Sequence, residues 1–592
     1  VAPIEKYLFR LTLLTLLLAG NRSAVAQHWI WAKEAVPSNS PQGLGDVFGD
    51  HSVALDPAGN SFMTGMVHGT LNFGSSILTC PDYESYLVKY NASGNVLWAR
   101  QSNTASSISA NPLCYSYGVA TDNSGNAYIA GQFADTIRFA GNILRTSTLT
   151  SFLTKYDGQG HVIWARQSVA GMNGSGGAKG VAVDNAGNIY IAGVFTGSIR
   201  FGSVQLSQPV FPGTTCAFLV KYDPNGNVLW ARQSVESAQT DVISTNSISI
   251  DPAGAVYFTG GSSGTHLFGT QSLNSVKQNA YLAKYDGSGN CLWVTNPTIS
   301  DTLSIAEGTS VAIDRYGYAY LTGNFLGDLH FGTTHLSAPR LQGNNIFLSK
   351  YDSWDKPVWA KQSTNIVGNT WISLAVATDT LASSGGFLLW SCTQTFADCK
   401  VTFGTDTFDF QHPANTDLTA NIIMSFDSTG QIGCGSIYSE GSENDGDGLC
   451  ADRSGRYAYI TGDLAEPTRL GQDSLFYGQD DTYWALWSCS ESKAPTQKPT
   501  GLLAIPNVFS PNGDGINDVF LITSEGSIDF HLRIYDRWGV LMFETRDPAN
   551  AWNGDTKNGM SASDGTYYYL LLVTNPANQE ETYKGFLTLF RG

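Results

Sequence analysis

The chain has no excess of basic residues, no metal-ligand spacing and, past its first residues, no long apolar run. Its 592 residues carry 33 Lys and Arg against 50 Asp and Glu, a formal charge of −17. That acidity argues against nucleic acid or an anionic membrane as a partner. The nine histidines form no HExxH motif, and no P-loop or dinucleotide fingerprint follows a strand and opens a helix. The nine cysteines are odd in number and fit neither a disulfide framework nor a zinc site. Cys392 and Cys399 are spaced for a local bridge, and buried free thiols account equally well for the others. Gly260 to Gly264 spells G-x-S-x-G, but it follows a strand and enters a loop, with no helix to build a nucleophile elbow. These signatures assign no catalytic or cofactor-binding residue.

The single apolar run, Leu11 to Ala19, follows Lys6 and Arg10 and precedes Ala24-Val25-Ala26. That order predicts a secretory signal peptide over residues 1–26, too short to span a bilayer as a helix. No segment of the mature chain is long and apolar enough to cross one.

What the chain does have is a repeat. Trp31, Trp98, Trp164, Trp230, Trp293 and Trp359 recur every 63 to 67 residues, mostly within V-x-W-A-R or a close variant. So regular a period means a repeat architecture whose repeated residues are mostly scaffold. The third copy is the clearest: a strand Gly180–Asp184, a turn, a strand Ile189–Phe195, a strand Phe218–Asp223, a turn, and a strand Val228–Gln233. Such Val-, Ile-, Tyr- and Trp-rich strands predict a four-stranded antiparallel meander. In its D-x-x-G-N turns Asp caps with its side chain and Gly supplies positive φ. The first turn recurs at Asp56, Asp122, Asp184, Asp251, Asp314 and Asp452, with a degraded copy near Asp379. The third strand occurs seven times, the last at Tyr483 to Trp487. The sixth copy has lost its tryptophan, with Cys434 near that place.

The first W-A strand, His28 to Lys33, has no strands before it, and the seventh repeat has no W-A strand of its own. The expected fold is therefore all-β: a seven-bladed β-propeller over residues 27–490, closed by the N-terminal strand. The tight turns then share one face. The long connections, most carrying a small Phe-Gly hairpin, share the other, where ligand contact is expected. Arg100, Arg166 and Arg232 are expected to stack beside the outer-strand tryptophans. These repeats resemble the bacterial β-propeller repeats of large exported proteins, a family that implies a fold and no single activity.

Residues 491–503 are polar and proline-bearing, a linker. Alternating strands over 504–592 predict a small Ig-like β-sandwich. Its NVFSPNGDGINDVF opening, IYDRWG hairpin, W-N-G-D, DGTYYY strand and KGFLTLFR ending resemble the gliding-motility-associated C-terminal domain. That resemblance implies a type B sorting signal for the type IX secretion system of Bacteroidota, with the secretion machinery as partner. It implies a protein released or retained at the cell surface. Asn512, Asp514, Asn517 and Asp518 alternate oxygen side chains around glycines, so the segment is either a Ca²⁺ loop or an Asx-rich turn. Asn444 to Asp447 is a weaker case of the same pattern.

The expected function is a non-catalytic exported scaffold for surface adhesion or for binding an extracellular polysaccharide or surface protein. The alternatives are a surface glycoside hydrolase or lyase with a composite site, and a purely structural envelope component.

Overall fold

The computed structural model describes residues 28–488 and 508–591, except 38–45, 75, 106–112, 172–173, 209–213, 300–302, 339–344, 365–373, 379–384, 395–398, 404–405, 411–417, 442–444, 465–467, 471–472, 476–480, 512–518, 523–528, 537, 548–549, 557–560, 575–579 and 590. The signal peptide, the linker, the Asp379 turn and the Asn512–Asp518 loop lie outside the described residues, as do the side chains of Cys392 and Cys399. Among the described residues every regular element is a β-strand. The chain divides into two compact units, Val1–Glu491 and Ser492–Gly592.

The first unit repeats one antiparallel pattern. In the third repeat Ser175–Val183 pairs with Ile189–Thr196, that with Cys216–Tyr222, and that with Val228–Glu236. The sixth pairs Leu374–Thr378, Gly386–Gln394, Leu418–Phe426 and Ile432–Gly441 in the same order. The seventh takes its fourth strand from the other end of the unit. His28–Pro37 lies antiparallel to Asp481–Ser488, from His28↔Ser488 to Ala35↔Thr482, and its last residues pair onward with the first repeat through Val36↔Asn72.

The motif residues explain their own recurrence. Asp122 Oδ1 accepts the backbone N–H groups of Ser124 and Asn126, at 2.9 and 3.0 Å. Its Oδ2 accepts from Asn126 Nδ2 at 2.7 Å and Tyr128 Oη at 2.9 Å, with Lys155 Nζ 3.8 Å away. Burial alone would raise this carboxyl's pKa; the hydrogen bonds from Asn126, Tyr128 and Ser124 outweigh it and hold the group below the usual aspartate range. The same repeat then grips the next. Lys155 Nζ and Trp164 Nε1 donate to Pro224 O at 3.4 and 3.3 Å, and Arg166 Nε donates to Gly226 O at 2.9 Å. The guanidinium does stack, 5.1 Å from the Trp164 ring centre, yet its larger role is this clasp on the neighbouring turn. Trp98 and Arg100 hold Gly158 O and Gly160 O in the same way.

The long connections are less free than their lengths imply. Phe73↔Ser76, Phe139↔Asn142, Phe201↔Val204, Phe268↔Gln271, Phe331↔Thr334 and Phe403↔Asp406 close six small hairpins. Each is paired on its outer edge by the chain arriving from the preceding repeat, as in Val169↔Arg200 and Thr298↔His330. Backbone amides in a connection still need partners, and pairing across repeats supplies them. Much of the segment expected to be ligand-facing loop is therefore scaffold.

Among its described residues the second unit has one five-stranded sheet, in the order Val508–Phe509, Glu580–Leu589, Gly565–Thr574, Asp529–Tyr535, Leu541–Thr545. Phe520 and Trp552 form a separate bridge, and Trp552 packs on Phe509 and Tyr567 in the core. Among the described residues Cys80, Cys114, Cys216, Cys291 and Cys450 are free thiols, whereas Cys434 is disulfide-bonded.

Candidate functional site

Most first strands carry a β-bulge, though Leu374–Thr378 of the sixth repeat pairs without one, and the bulges position the candidate site. Register shifts leave one extra residue in four repeats: Tyr117, Lys179, Thr309 and Asp447. The fourth repeat is shifted between Ile243 and Ser247, a stretch that includes Asn246. All five residues line one cavity of about 400 Å³, joined by Ser52 from the first repeat and Ala375 from the sixth. A bulge re-aims a side chain out of the alternating pattern. Here it places a different polar group from each of these five repeats in a common space.

The walls of this space are the first strands themselves, and they crowd one another. Val119 N donates to Ser52 Oγ, Val311 N to Ser247 Oγ and Val376 N to Ser310 Oγ, each at 3.2 Å. A Cβ on Gly180 would lie 2.8 Å from Ile248 Cγ2, and one on Gly118 would lie 3.0 Å from Val181 N. Only small residues fit there. The contacts run from each first strand to the next, and Asp445–Ala451 of the seventh lies against Asp46–Leu55 of the first.

Polar contacts fix the lining. Lys179 Nζ sits 3.5 Å from the Tyr117 ring centre, and Gln132 Nε2 donates to the Tyr117 hydroxyl at 2.8 Å. Tyr115 stacks on Tyr117 with centroids 6.1 Å apart. Glu307 gathers Ser244 Oγ, Asn246 Nδ2 and Gln278 Nε2 at 3.2, 3.0 and 3.1 Å, tying the fourth repeat to the fifth. The cavity thus combines an aromatic face, an ammonium, an amide and a carboxylate, the chemistry of a site that orients a polar ligand.

Residues 503–589 match the CHU_C Type IX secretion signal domain. This signal domain supports export, in keeping with the resemblance in its opening, hairpin and closing strand. A WD repeat-containing protein, L264 of Acanthamoeba polyphaga mimivirus, is 27% identical over 36% of this chain, but the match spans only 17% of the viral protein. Two solved structures are similar at 10% identity and a TM-score of 0.20. One is the extracellular domain of BT4673 from B. thetaiotaomicron, with 93% of this chain and 88% of that chain covered. The other is PorZ, a surface component of the type-IX secretion system of Porphyromonas gingivalis, with 95% and 100% covered. Likeness at that level fixes no role.

Two sequence expectations change. Asp445 to Asp447 is not a cation loop but the start of a strand, with Asp447 in its bulge. The G-x-S-x-G letters lie inside the strand Val256–Phe268, where buried Ser262 shares a 2.9 Å hydrogen bond with Ser275. No nucleophile elbow exists there. Reading the sequence missed four of the five bulge residues and gave Asp447 to a cation loop. Their one signal was the glycine ending each Y-x-x-G, which faces the bulge.

Proposed function

We propose that residues 27–490 form a seven-bladed β-propeller closed by the N-terminal strand, and that residues 504–592 form a small Ig-like β-sandwich behind a linker at 491–503. The protein is exported by way of a signal peptide at 1–26 and the type IX machinery, and serves surface adhesion through binding of glycan or protein. The cyclic succession of first strands and the pairing of His28–Pro37 with Asp481–Ser488 support the propeller. One observation carries the binding reading: the side chains brought to the shared cavity differ from repeat to repeat, while the framework around them recurs. A bare spacer has no use for that difference. A hydrolase of the usual kind needs two carboxylates across a substrate; the described lining includes one lysine and one aspartate.

The test is a screen of the purified protein against polysaccharides and surface proteins, with turnover assayed in parallel. Lys179→Ala and Tyr117→Ala are each expected to weaken the captured ligand about tenfold, the scale of one lost polar or cation–π contact. Product formation that vanishes in Asp447→Asn would replace this reading with the enzymatic one.

Deleting residues 505–592 is expected to strand the chain in the periplasm, read by surface labelling of intact cells. Undiminished display would refute the sorting role. Asn512, Asp514, Asn517 and Asp518 are proposed to hold Ca²⁺ through their side-chain oxygens. Chelator should then lower the melting temperature of the full chain; unchanged melting would leave an ordinary Asx-rich turn.

A further inference from the structure

The third position of the tight turns sets one repeat apart. In the first turn it is Ala58, Ser124, Ala186, Ala253 and Ser454, but Tyr316 in the fifth repeat. In the second turn it is Ser93, Gln159, Asn225, Ser288 and Thr429, but Trp354 in that same repeat. Tyr316 is 58% exposed and Trp354 74%, and the next most exposed tyrosine or tryptophan described in the Val1–Glu491 unit is Tyr457 at 36%. The two turns converge on one pair of side chains. Gly317 O, next to Tyr316, lies 3.5 Å from the Tyr257 hydroxyl. Ser353 O, next to Trp354, accepts from Lys284 Nζ at 3.4 Å, and that ammonium lies 4.8 Å from the Tyr257 ring centre.

Single exposed apolar side chains are ordinary, but two large rings on neighbouring turns of one repeat are not. Their surroundings select the ligand. The Arg315 guanidinium lies 4.6 Å from the Tyr316 ring centre and donates to its hydroxyl. Asp355 occupies the place of the turn glycine at φ 69°, beside Asp352. Flat apolar faces edged by a guanidinium and carboxylates suit a sugar, whose C–H face stacks while its hydroxyls hydrogen-bond outward. The apolar part is far smaller than the roughly 800 Å² per partner of a stable protein interface.

We propose that Tyr316 and Trp354 form a stacking platform for pyranose units of an extracellular polysaccharide. It is separate from the central cavity and shares no lining residue with it. The platform is tested on the full chain by affinity electrophoresis in gels containing xylan, mixed-linkage β-glucan or starch, and by pull-down on chitin. At least one of these probes should retain the protein. Trp354→Ala and Tyr316→Ala should each reduce that retention about tenfold, the usual loss on removing a stacking ring. Trp354→Phe should keep most of it. Both rings are exposed, so the melting temperature should not move. Retention by none of the four probes, or full retention by both alanine variants, would overturn the proposal.

Discussion

Gly131→Ala is expected to lower the stability of the repeat unit by about 3–4 kcal/mol, a loss that few single substitutions reach. An added Cβ would lie 1.8 Å from Tyr115 O and 2.9 Å from Phe152 Cε1. Neither neighbour can retreat. The carbonyl belongs to the bulged strand, which the next strand crowds from behind, and Phe152 is fully buried against Phe139. Gly193 faces Gly177 O at 2.0 Å and Gly323 faces Glu307 O at 1.9 Å in the same way, so the requirement follows the bulge around the unit. Gly254→Ala is the control: φ there is +86° but nothing lies within 4 Å of a Cβ. That variant should lose only about 1 kcal/mol, the cost of a left-handed alanine. Urea denaturation followed by tryptophan fluorescence measures both. Equal midpoints for the two variants would mean that the bulge relaxes and that the glycine is not demanded by it.

Trp31→Ala is expected to cost about 3–5 kcal/mol, the range for a buried large aromatic, and to loosen the seam between the first and last strands. Trp31 packs on Trp484 and Tyr459, with ring centres 5.7 and 6.3 Å away, and its ring covers Gly94 of the first repeat. Five other junctions carry a second layer of attachment: Trp98, Trp164, Trp230, Trp293 and Trp359 each donate an indole N–H to the next repeat's turn. Trp31 Nε1 makes no such bond, and Lys33 stands where Arg100 and Arg166 make their clasps. This seam therefore depends more on packing than its sisters do. Trp164→Ala, with the clasp of Arg166 still in place, should leave its junction resistant to limited proteolysis, whereas Trp31→Ala should expose His28–Pro37 to cleavage. Equal protection in the two variants would show that the seam has support beyond the tryptophan.

The scaffold was readable because its physics is local. Asp122, Asn126, Tyr128 and Lys155 return in full as Asp184, Asn188, Tyr190 and Lys221, since one carboxylate binds all the others and each is a partner for a half-buried charge. The pairing of His28–Pro37 with Asp481–Ser488 was legible from arithmetic, because one strand was missing at one end and one was spare at the other. The candidate site was not legible in this way. A bulge is a mismatch between two strands, and a single strand's letters do not record it; Tyr117 and Lys179 look like ordinary members of an alternating run. Nor could the letters show that the Phe-Gly hairpins are paired by the preceding repeat. That pairing withdraws much of the face where contact with a ligand was expected.

By itself the sequence determined the period, the all-β character, the turn chemistry and the resemblance of the C-terminal module to a secretion signal. Each of these rests on near neighbours in the chain or on a motif read in order. Only the tertiary structure decided which residues share a space. Tyr117, Lys179, Asn246, Thr309 and Asp447 are separated by more than sixty residues at each step along the chain, yet line one cavity. Packing the first strands side by side brings together backbone that the chain keeps far apart, and no local rule fixes what meets there.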